Sequence, residues 1–171
     1  MAHSKLARPS KERMALIRNQ ASYLLWNGYI ETTETKAKEI KAYAEKIITL
    51  AVKSYKDVVN VTKTKVGENG EQVKMEVVND GPQKLAARRK IMTMCYDLQE
   101  QRKDKESKAD FVARTKDIKH PLIEKIFNVY APRYAERAEK LGQGGGYTTI
   151  MKLGKRRGDN ADMARVELIA E

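Results

Sequence analysis

The chain has 171 residues, which is enough for one domain with a hydrophobic core but short for two. Its 34 lysines and arginines outnumber its 23 aspartates and glutamates, and this net charge of +11 favours a polyanionic partner, because cations that meet phosphates release condensed counterions. The sequence has no apolar stretch near the roughly 18 residues of a spanning helix, no apolar N-terminal signal region and a single cysteine, so we expect a soluble cytoplasmic protein without an intramolecular disulfide.

The N-terminal third is predicted to form two helices joined by a short strand. Apolar residues at helical spacing predict a first helix that Pro9 and Ser10 open, with Ser10 as its N-cap, and that Asn27-Gly28 closes, where Gly28 can adopt the left-handed conformation. Residues 29–32 are extended, and Thr33 can cap a second helix that has Glu34 at its positive end. The apolar stripe of this second helix is Ala37, Ile40, Ala44, Ile47, Ile48 and Ala51.

The middle of the chain changes to a two-residue period. Apolar residues alternate with polar ones over 58–78, on either side of a turn signal at 67–70, and this pattern predicts a β-hairpin. Pro82 then starts a helix that runs to Cys95. Residues 97–119 are mostly charged, and we expect a solvated helical extension or a loop there.

The C-terminal part combines helices with two more strands. A helix begins at Pro121 and is expected to kink or end at Pro132, where a basic helix follows. Gly142 and Gly144-Gly-Gly146 form a flexible joint. The last segments are a strand over 147–153, a basic loop over 154–160 and a strand over 164–169.

These elements predict an α+β fold, a two-layer domain in which several helices pack on one side of a small mixed sheet, with an inserted β-hairpin. The charge is unevenly spread over this fold. Residues 1–30 carry a net +4 and residues 82–119 a net +5, whereas residues 56–81 carry four basic and five acidic side chains. The basic excess therefore lies in the first two regions, and the hairpin is expected to face solvent or a neighbouring protein.

Two short basic clusters favour phosphate contact over a merely solvated surface. Arg88 and Arg89 are adjacent, so they cannot both point into a core, and little acid lies near them in the sequence. Lys155-Arg156-Arg157 lies at the tip of the predicted C-terminal hairpin, and arginine matches phosphate in a bidentate way. The alternative for this tip is that Asp159 and Asp162 neutralise it and only shape the turn.

The sequence gives little support for catalysis. His3 and His120 are far apart, and His120 precedes Pro121, where a role at the start of a helix is the simpler interpretation. Cys95 lies on an apolar face and is expected to be buried. One cysteine and two distant histidines lack the spacing of a zinc site, and the glycines at 142–146 lack the Gly-Lys-Ser/Thr of a phosphate-binding loop. We therefore expect no enzyme, no cofactor and no metal.

Motifs along most of the chain follow the order found in a known family. In the N-terminal half they are Arg18-Asn19, Ile30-Glu-Thr-Thr33, Lys36-Ala-Lys-Glu39 and Ile48-Thr-Leu-Ala51. In the C-terminal half they are Ala87-Arg-Arg89, Ala131-Pro-Arg-Tyr134, Gly145-Gly-Tyr-Thr148, Met151-Lys-Leu-Gly154 and Arg156-Arg-Gly-Asp159. Over about 1–55, 82–96 and 120–171, this order resembles family seventeen of the bacterial large-subunit ribosomal proteins.

The chain also departs from that family's pattern. Within a single domain of residues 1–171, residues 56–81 extend a connection that is normally shorter, and residues 97–119 look like a second, charged insertion. Thr149 stands where the family usually has arginine, so no RNA contact is assigned there.

The resemblance implies a structural constituent of the large ribosomal subunit that binds and stabilises ribosomal RNA. It also implies neighbouring large-subunit proteins near the periphery of the peptide exit tunnel, with neither a membrane nor a small-molecule substrate as partner. Such a protein neutralises crowded phosphates and reads the shape of A-form RNA rather than its base sequence. The residues selected for RNA contact are Lys5, Arg8, Lys11, Arg13, Arg18, Thr32, Thr33, Lys36, Lys38, Arg88, Arg89, Arg133, Arg137, Tyr147, Lys152, Lys155, Arg156 and Arg157.

Two other functions compete with this interpretation. A DNA-binding architectural or regulatory protein would also be basic, but a strand rather than a short turn joins the first two predicted helices, which weighs against a helix-turn-helix motif. An enzyme acting on RNA would need a clustered acid pair or a His/Lys set, and the sequence shows neither.

Overall fold

The computed structural model describes residues 4–66, 72–116 and 118–169, except for the side chains of residues 65, 66, 72 and 73. In chain order the elements are α1 (Ser10–Asn27), β1 (Tyr29–Thr33), α2 (Glu34–Ser54), β2 (Val58–Val66), β3 (Gln72–Asp80), α3 (Pro82–Met94), α4 (Lys108–Thr115), α5 (Pro121–Lys125), a π-helical turn (Ile126–Tyr130), α6 (Ala131–Leu141), β4 (Thr148–Lys155) and β5 (Asp162–Leu168). The predicted α+β class is confirmed.

The main sheet has the strand order β1-β5-β4, and both of its pairings are antiparallel. The expectation of a mixed sheet is wrong. A short turn joins β4 to β5 and forces the two to run in opposite directions, and β1 then pairs antiparallel with the other edge of β5. One face of the sheet packs on α1 and α2, where Ala164 and Val166 are fully buried. The other face carries Tyr29 and Met151, which are exposed.

α2 belongs to two hydrophobic clusters at once. Ala37, Ile40 and Ala44 pack with side chains of α1 and β5. Farther along the helix, Ile47 and its neighbours pack with side chains of α3, α5, the π-helical turn and α6. All six residues of the predicted stripe are fully buried, so the periodicity of the sequence correctly predicted the buried face of α2.

The interruption expected at Pro132 takes the form of a π-helical turn just before it. In the turn Ile126–Tyr130, the N–H of Ala131 donates to the carbonyl of Ile126, five residues back. Proline has no N–H and its ring crowds the carbonyl four residues before it, so a wider turn accommodates Pro132 without ending the helical path. α6 continues beyond it and ends at Gly142, which has the left-handed conformation with φ 66°.

The hydroxyl of Tyr134 connects α6 to the open end of the β4–β5 hairpin, where the chain enters β4 and leaves β5. It lies 3.3 Å from the carbonyl oxygen of Tyr147 and 3.0 Å from that of Ile169, both of which accept hydrogen bonds from it. Burial raises the pKa of Tyr134 to about 12, so the hydroxyl keeps its proton at neutral pH and remains a donor.

The charged segment 97–119 contains one short helix and neutralises part of its own charge. Ser107 caps α4, because its Oγ accepts a hydrogen bond of 3.1 Å from the N–H of Asp110. Arg114 pairs with Glu106 at 3.0 Å and also with Glu100. In the described part of the segment, α4 agrees with a helical extension and its flanks with a loop.

The predicted β-hairpin is present, with Val58 opposite Asp80 and Val66 opposite Gln72. Its predicted turn at 67–70 lies outside the described residues. The helix predicted from Pro82 is also present as α3 and ends one residue before Cys95. The predicted hairpin strands and the helix predicted from Pro82 are thus confirmed.

Asp57 joins the base of the hairpin to α3. Its Oδ2 accepts hydrogen bonds from the backbone N–H groups of Gln83 at 2.7 Å and Lys84 at 3.2 Å, in the first turn of α3. Because the first N–H groups of a helix have no partner within the helix, this carboxylate acts as its cap. Gly81 is buried beside it, and an added Cβ there would overlap the carboxylate of Asp57.

We therefore expect Gly81→Ala to lower the free energy of unfolding by about 1–2 kcal/mol, because the new methyl displaces the cap of α3. Gly144→Ala is the matched control, since Gly144 has open space around it and lacks a left-handed φ. That variant should be neutral or more stable by a few tenths of a kcal/mol through the unfolded chain. Urea denaturation measures both, and equal effects would contradict the capping role of Asp57.

Candidate nucleic-acid interface

Arg13 and Arg18, both selected from the sequence, are half-buried and help to hold α1 and the N-terminal arm against α2. Nη1 of Arg13 donates to the carbonyl of Ser4 at 3.2 Å, and the N–H of Ser4 donates to Oε1 of Glu39 at 2.8 Å. Arg18 lies beside the hydroxyl of Tyr43 on α2. These two arginines are therefore partly committed to the fold.

The other cations of the arm and of α1 face solvent. Lys5 and Lys11 are exposed, and neither has an ion pair with another described residue. Arg8 lies 3.8 Å from Glu12 in an exposed pair, and such a pair contributes little to stability. All three remain accessible to a phosphate.

Glu34, the first residue of α2, forms ion pairs with two of the lysines predicted to contact RNA. Its Oε1 lies 2.9 Å from Nζ of Lys38 and 3.3 Å from Nζ of Lys152 on β4. Hydrogen bonds from Lys38 and then Lys152 lower the pKa of Glu34. Two cations share one carboxylate, so this corner keeps a net positive charge, and the half-exposed Lys36 adds to it.

Thr32 and Tyr147 are placed inside the protein, in contrast to their selection as RNA contacts. Thr32 is 6% exposed and its Oγ1 accepts from Nε2 of Gln20 at 3.5 Å. Tyr147 is 5% exposed, and its ring centroid lies 4.8 Å from that of Tyr134. Thr32 lies on the inward face of β1, opposite Ala164, whereas Tyr147 lies just before β4 in the main hydrophobic cluster, so neither side chain is available to RNA. Thr33 is half-exposed at the start of α2.

Arg88 is an internal ion-pair partner. Its Nε lies 2.6 Å from Oδ2 of Asp80 on β3, and its Nη1 lies 2.5 Å from Oε1 of Glu124 on α5. Burial opposes its charge, but the hydrogen bonds to Asp80 and Glu124 outweigh burial and raise the pKa of Arg88. Little acid lies near this arginine in the sequence, but the fold brings two carboxylates to it, so its charge is already paired. Arg89 is exposed and has no ion pair with a described residue.

Of the three cations at the tip of the β4–β5 hairpin, one forms an ion pair and two form none with the described residues. Arg156 holds Asp159 through two bonds, Nε to Oδ1 at 2.9 Å and Nη2 to Oδ2 at 2.6 Å. The hydrogen bond from Arg156 is the largest cause that lowers the pKa of Asp159 to about 2. Lys155 and Arg157 are exposed, and neither forms an ion pair within the described part of the chain. The alternative of an acid-neutralised tip thus holds for Arg156.

The two selected arginines of α6 also differ. Nη1 of Arg137 donates to the carbonyl of Gly146 at 3.1 Å and so fixes the glycine joint that leads into β4. Arg133 is exposed and has no acidic partner among the described residues. Of these two arginines, Arg133 is therefore the one whose charge is available to a ligand.

Three exposed lysines that the sequence analysis did not select line a groove between α2 and α3: Lys46, Lys53 and Lys90. Lys46 and Lys53 are seven residues apart on the side of α2 opposite its apolar stripe. Their helical spacing in the sequence could therefore have predicted that both are exposed on one face of the helix. No signal in the sequence predicted Lys90, because its position depends on how α3 packs.

The cysteine and the histidine that were considered for catalysis have contacts typical of structural residues. Cys95 is buried as predicted, and burial raises the pKa of its thiol to about 12, so it stays protonated. His120 precedes α5 and lies 3.1 Å from Oδ2 of Asp97, whereas His3 lies outside the described residues. The described residues contain no group of three metal-ligating side chains. Among the same residues, no helix is both long and apolar enough to cross a membrane.

Comparison with known proteins gives a consistent result. The family model described as "Ribosomal protein L17" matches residues 16–169. The chain is 36% identical to the large ribosomal subunit protein bL17 of Lachnospira eligens, over 98% of each chain, and 36% identical to that of an Exiguobacterium species, over 99% of this chain and all of the relative. It is 33% identical to the bL17 protein of Acetivibrio thermocellus, over 98% of this chain and 99% of the relative. The motif order in the sequence, the match along nearly the whole length and an α+β fold with a cation-rich surface agree, and the chain belongs to the ribosomal protein L17 family.

Proposed function

We propose that this protein is a structural constituent of the large ribosomal subunit and that it binds and stabilises ribosomal RNA there. The observation that carries the proposal is the set of surface cations that the fold leaves without acidic partners among the described residues. From the selected residues, this set is Lys5, Lys11, Lys36, Arg89, Arg133, Lys155 and Arg157. Membership of a ribosomal protein family supports RNA as the polyanion.

The mechanism is electrostatic bridging. RNA segments that approach one another repel through their phosphates, and cations fixed on a folded protein between them remove that repulsion and release counterions. Arg156 prepares the hairpin tip for this role, because its pair with Asp159 shapes the turn that displays Lys155 and Arg157. Such contacts read the backbone and shape of A-form RNA, since its deep major groove hides the bases.

The family resemblance supports further details of this proposal. It favours a position near the periphery of the peptide exit tunnel, beside neighbouring large-subunit proteins, and a structural rather than catalytic role. Residues 1–171 act as a single domain, in which 56–81 and 97–119 are insertions. A DNA-binding role is less favoured, because β1, paired in the sheet, separates α1 from α2 and precludes a compact helix-turn-helix there.

Binding of the purified protein to large-subunit ribosomal RNA should weaken steeply with salt. If six to ten phosphates are engaged, the slope of log K against log salt is expected at roughly −5 to −9. Filter binding over a salt series measures this slope. A slope shallower than about −2 would show that charge is not what holds the protein on RNA.

Lys155→Gln with Arg157→Gln should weaken RNA binding by about 1–3 kcal/mol and reduce the magnitude of the salt slope by nearly two, because two phosphate contacts are lost. The melting temperature should stay level, since neither side chain has a partner among the described residues. Lys63→Gln with Lys74→Gln, which removes the same charge from exposed positions of the β2–β3 hairpin, is the control. Equal losses in the two variants would argue against a specific role for the tip.

Replacement of residues 58–78 by a short Gly-Ser linker should leave RNA affinity within about threefold, because the three lysines of this segment are balanced by three glutamates and it carries no net positive charge. The replacement spares Asp57, which caps α3, and Asp80, which pairs with Arg88. The linker variant must melt cooperatively to be informative. A loss of tenfold or more in such a folded variant would place the hairpin in the RNA site.

A further inference from the structure

The groove between α2 and α3 carries a concentrated positive charge that none of the selected residues accounts for. Lys46 and Lys53 line it from α2, and Lys90 lines it from α3. We propose that this groove is a second RNA-binding surface of the protein and that it holds one stretch of sugar–phosphate backbone. The proposal rests on the proposed function and adds to it a site on the helical side of the molecule.

The charge of the groove is not neutralised by its own walls. All three lysines are exposed, and none has an ion pair with another described residue. One carboxylate lines the groove, that of Glu45, and its Oε1 accepts a hydrogen bond of 2.8 Å from Oγ1 of Thr148 on the sheet side of α2. Three cations thus face one half-buried acid that is already engaged, and a bound anion would supply the missing charge.

The positions of the lysines suit an extended polyanion. Lys46 and Lys53 are two helical turns apart, about 10 Å along the axis of α2. Lys90 stands on the other wall, so the cations flank the groove from both sides. Lysine binds phosphate as a point charge on a flexible stem, so this arrangement tolerates the irregular backbone of folded RNA.

Apolar side chains that pack on the core form the floor of the groove. Leu50 and Met94 lie there, and both pack against the main hydrophobic cluster. The hydroxyl of Tyr43 donates to the carbonyl of Met94 at 3.1 Å, which fixes the end of α3 against α2. A preformed groove binds without the entropic cost of ordering its walls, and its floor can contact the less polar face of a ribose.

The walls favour RNA over an acidic peptide. A peptide bound in an extended form needs partners for its own N–H and C=O groups. The middle of a helix offers none, because its peptide groups are bonded within the helix, and both walls here are helical. The groove can therefore bind a ligand mainly through the charge of its lysines, and a phosphate backbone is a ligand that is recognised by charge.

The test compares two triple variants of the full chain that lose equal charge. The groove variant carries Lys46→Gln, Lys53→Gln and Lys90→Gln. The control carries Lys108→Gln, Lys116→Gln and Lys119→Gln, all exposed in or beside the charged segment and without ion pairs to described residues. In filter binding with large-subunit ribosomal RNA, the groove variant should lose about two to three from the magnitude of the salt slope, while the control keeps nearly the wild-type slope.

Footprinting of the wild-type chain provides a measurement that does not depend on a variant folding. An amine-acylating reagent should label Lys46, Lys53 and Lys90 in the free protein, and RNA should protect them, while Lys108 stays labelled. Equal labelling with and without RNA, or equal slope losses in both variants, would overturn the groove as an RNA site. Protection by poly-glutamate but not by RNA would overturn it in favour of an acidic protein. Wild-type protein that fails to bind RNA in a salt-dependent way would instead refute the proposed function itself.

Discussion

The buried face of α2 has to fit the sheet and the C-terminal helices at the same time, and the rest of the structure depends on this double contact. Ala37, Ala44 and Ala51 recur every seven residues along that face, and their short side chains let the neighbouring elements approach closely. Larger isoleucines between them fill the two clusters, and all of these residues are fully buried. Because burying an unpaired charge is unfavourable, the lysines of α2 are restricted to its outer side and shoulders. The packing of the core therefore also decides where the cations of this helix are displayed.

The acidic side chains complete this separation of charge. Asp80 and Glu124 both bind Arg88 and so connect β3, α3 and α5. Glu34 binds lysines of α2 and β4, and Asp159 holds Arg156 at the hairpin tip. Lys125 is another cation used by the fold, because its Nζ donates to the carbonyl of Trp26 at 2.6 Å, where α1 ends and its carbonyls need partners. Acids that are engaged in this way do not neutralise the remaining lysines and arginines, so these cations stay available for the proposed contacts with RNA phosphate.

The candidate site was only partly predictable from the sequence, and the failures have a common cause. Thr32 and Tyr147 belong to motifs that resemble the family, but a motif does not say whether its side chains point outward. Thr32 is buried on the inward face of the sheet and Tyr147 is buried against Tyr134 of α6, so neither can contact a ligand. Arg88 and Arg89 look equivalent in the chain, yet one step of 100° around a helix turns Arg88 towards two acids and Arg89 towards solvent. The exposed members of the set lie on arms, helix surfaces and turns, where the sequence already indicates exposure, and their contact with RNA stays a prediction.

Elements with local signals could be predicted before the fold was known. The period of the apolar residues predicted α2 and its buried face, the alternation over 58–78 predicted the hairpin, and Gly28 predicted the end of α1. Net charge and motif order predicted the family. Only the tertiary structure decided which cations remain free, because their partners are distant in the chain. Glu124 is 36 residues from Arg88, and Lys90 meets Lys46 across a groove that exists only after α3 packs on α2. Coulombic and hydrogen-bonding interactions depend on distance in space, and that distance is set by the packing of the core rather than by position in the sequence.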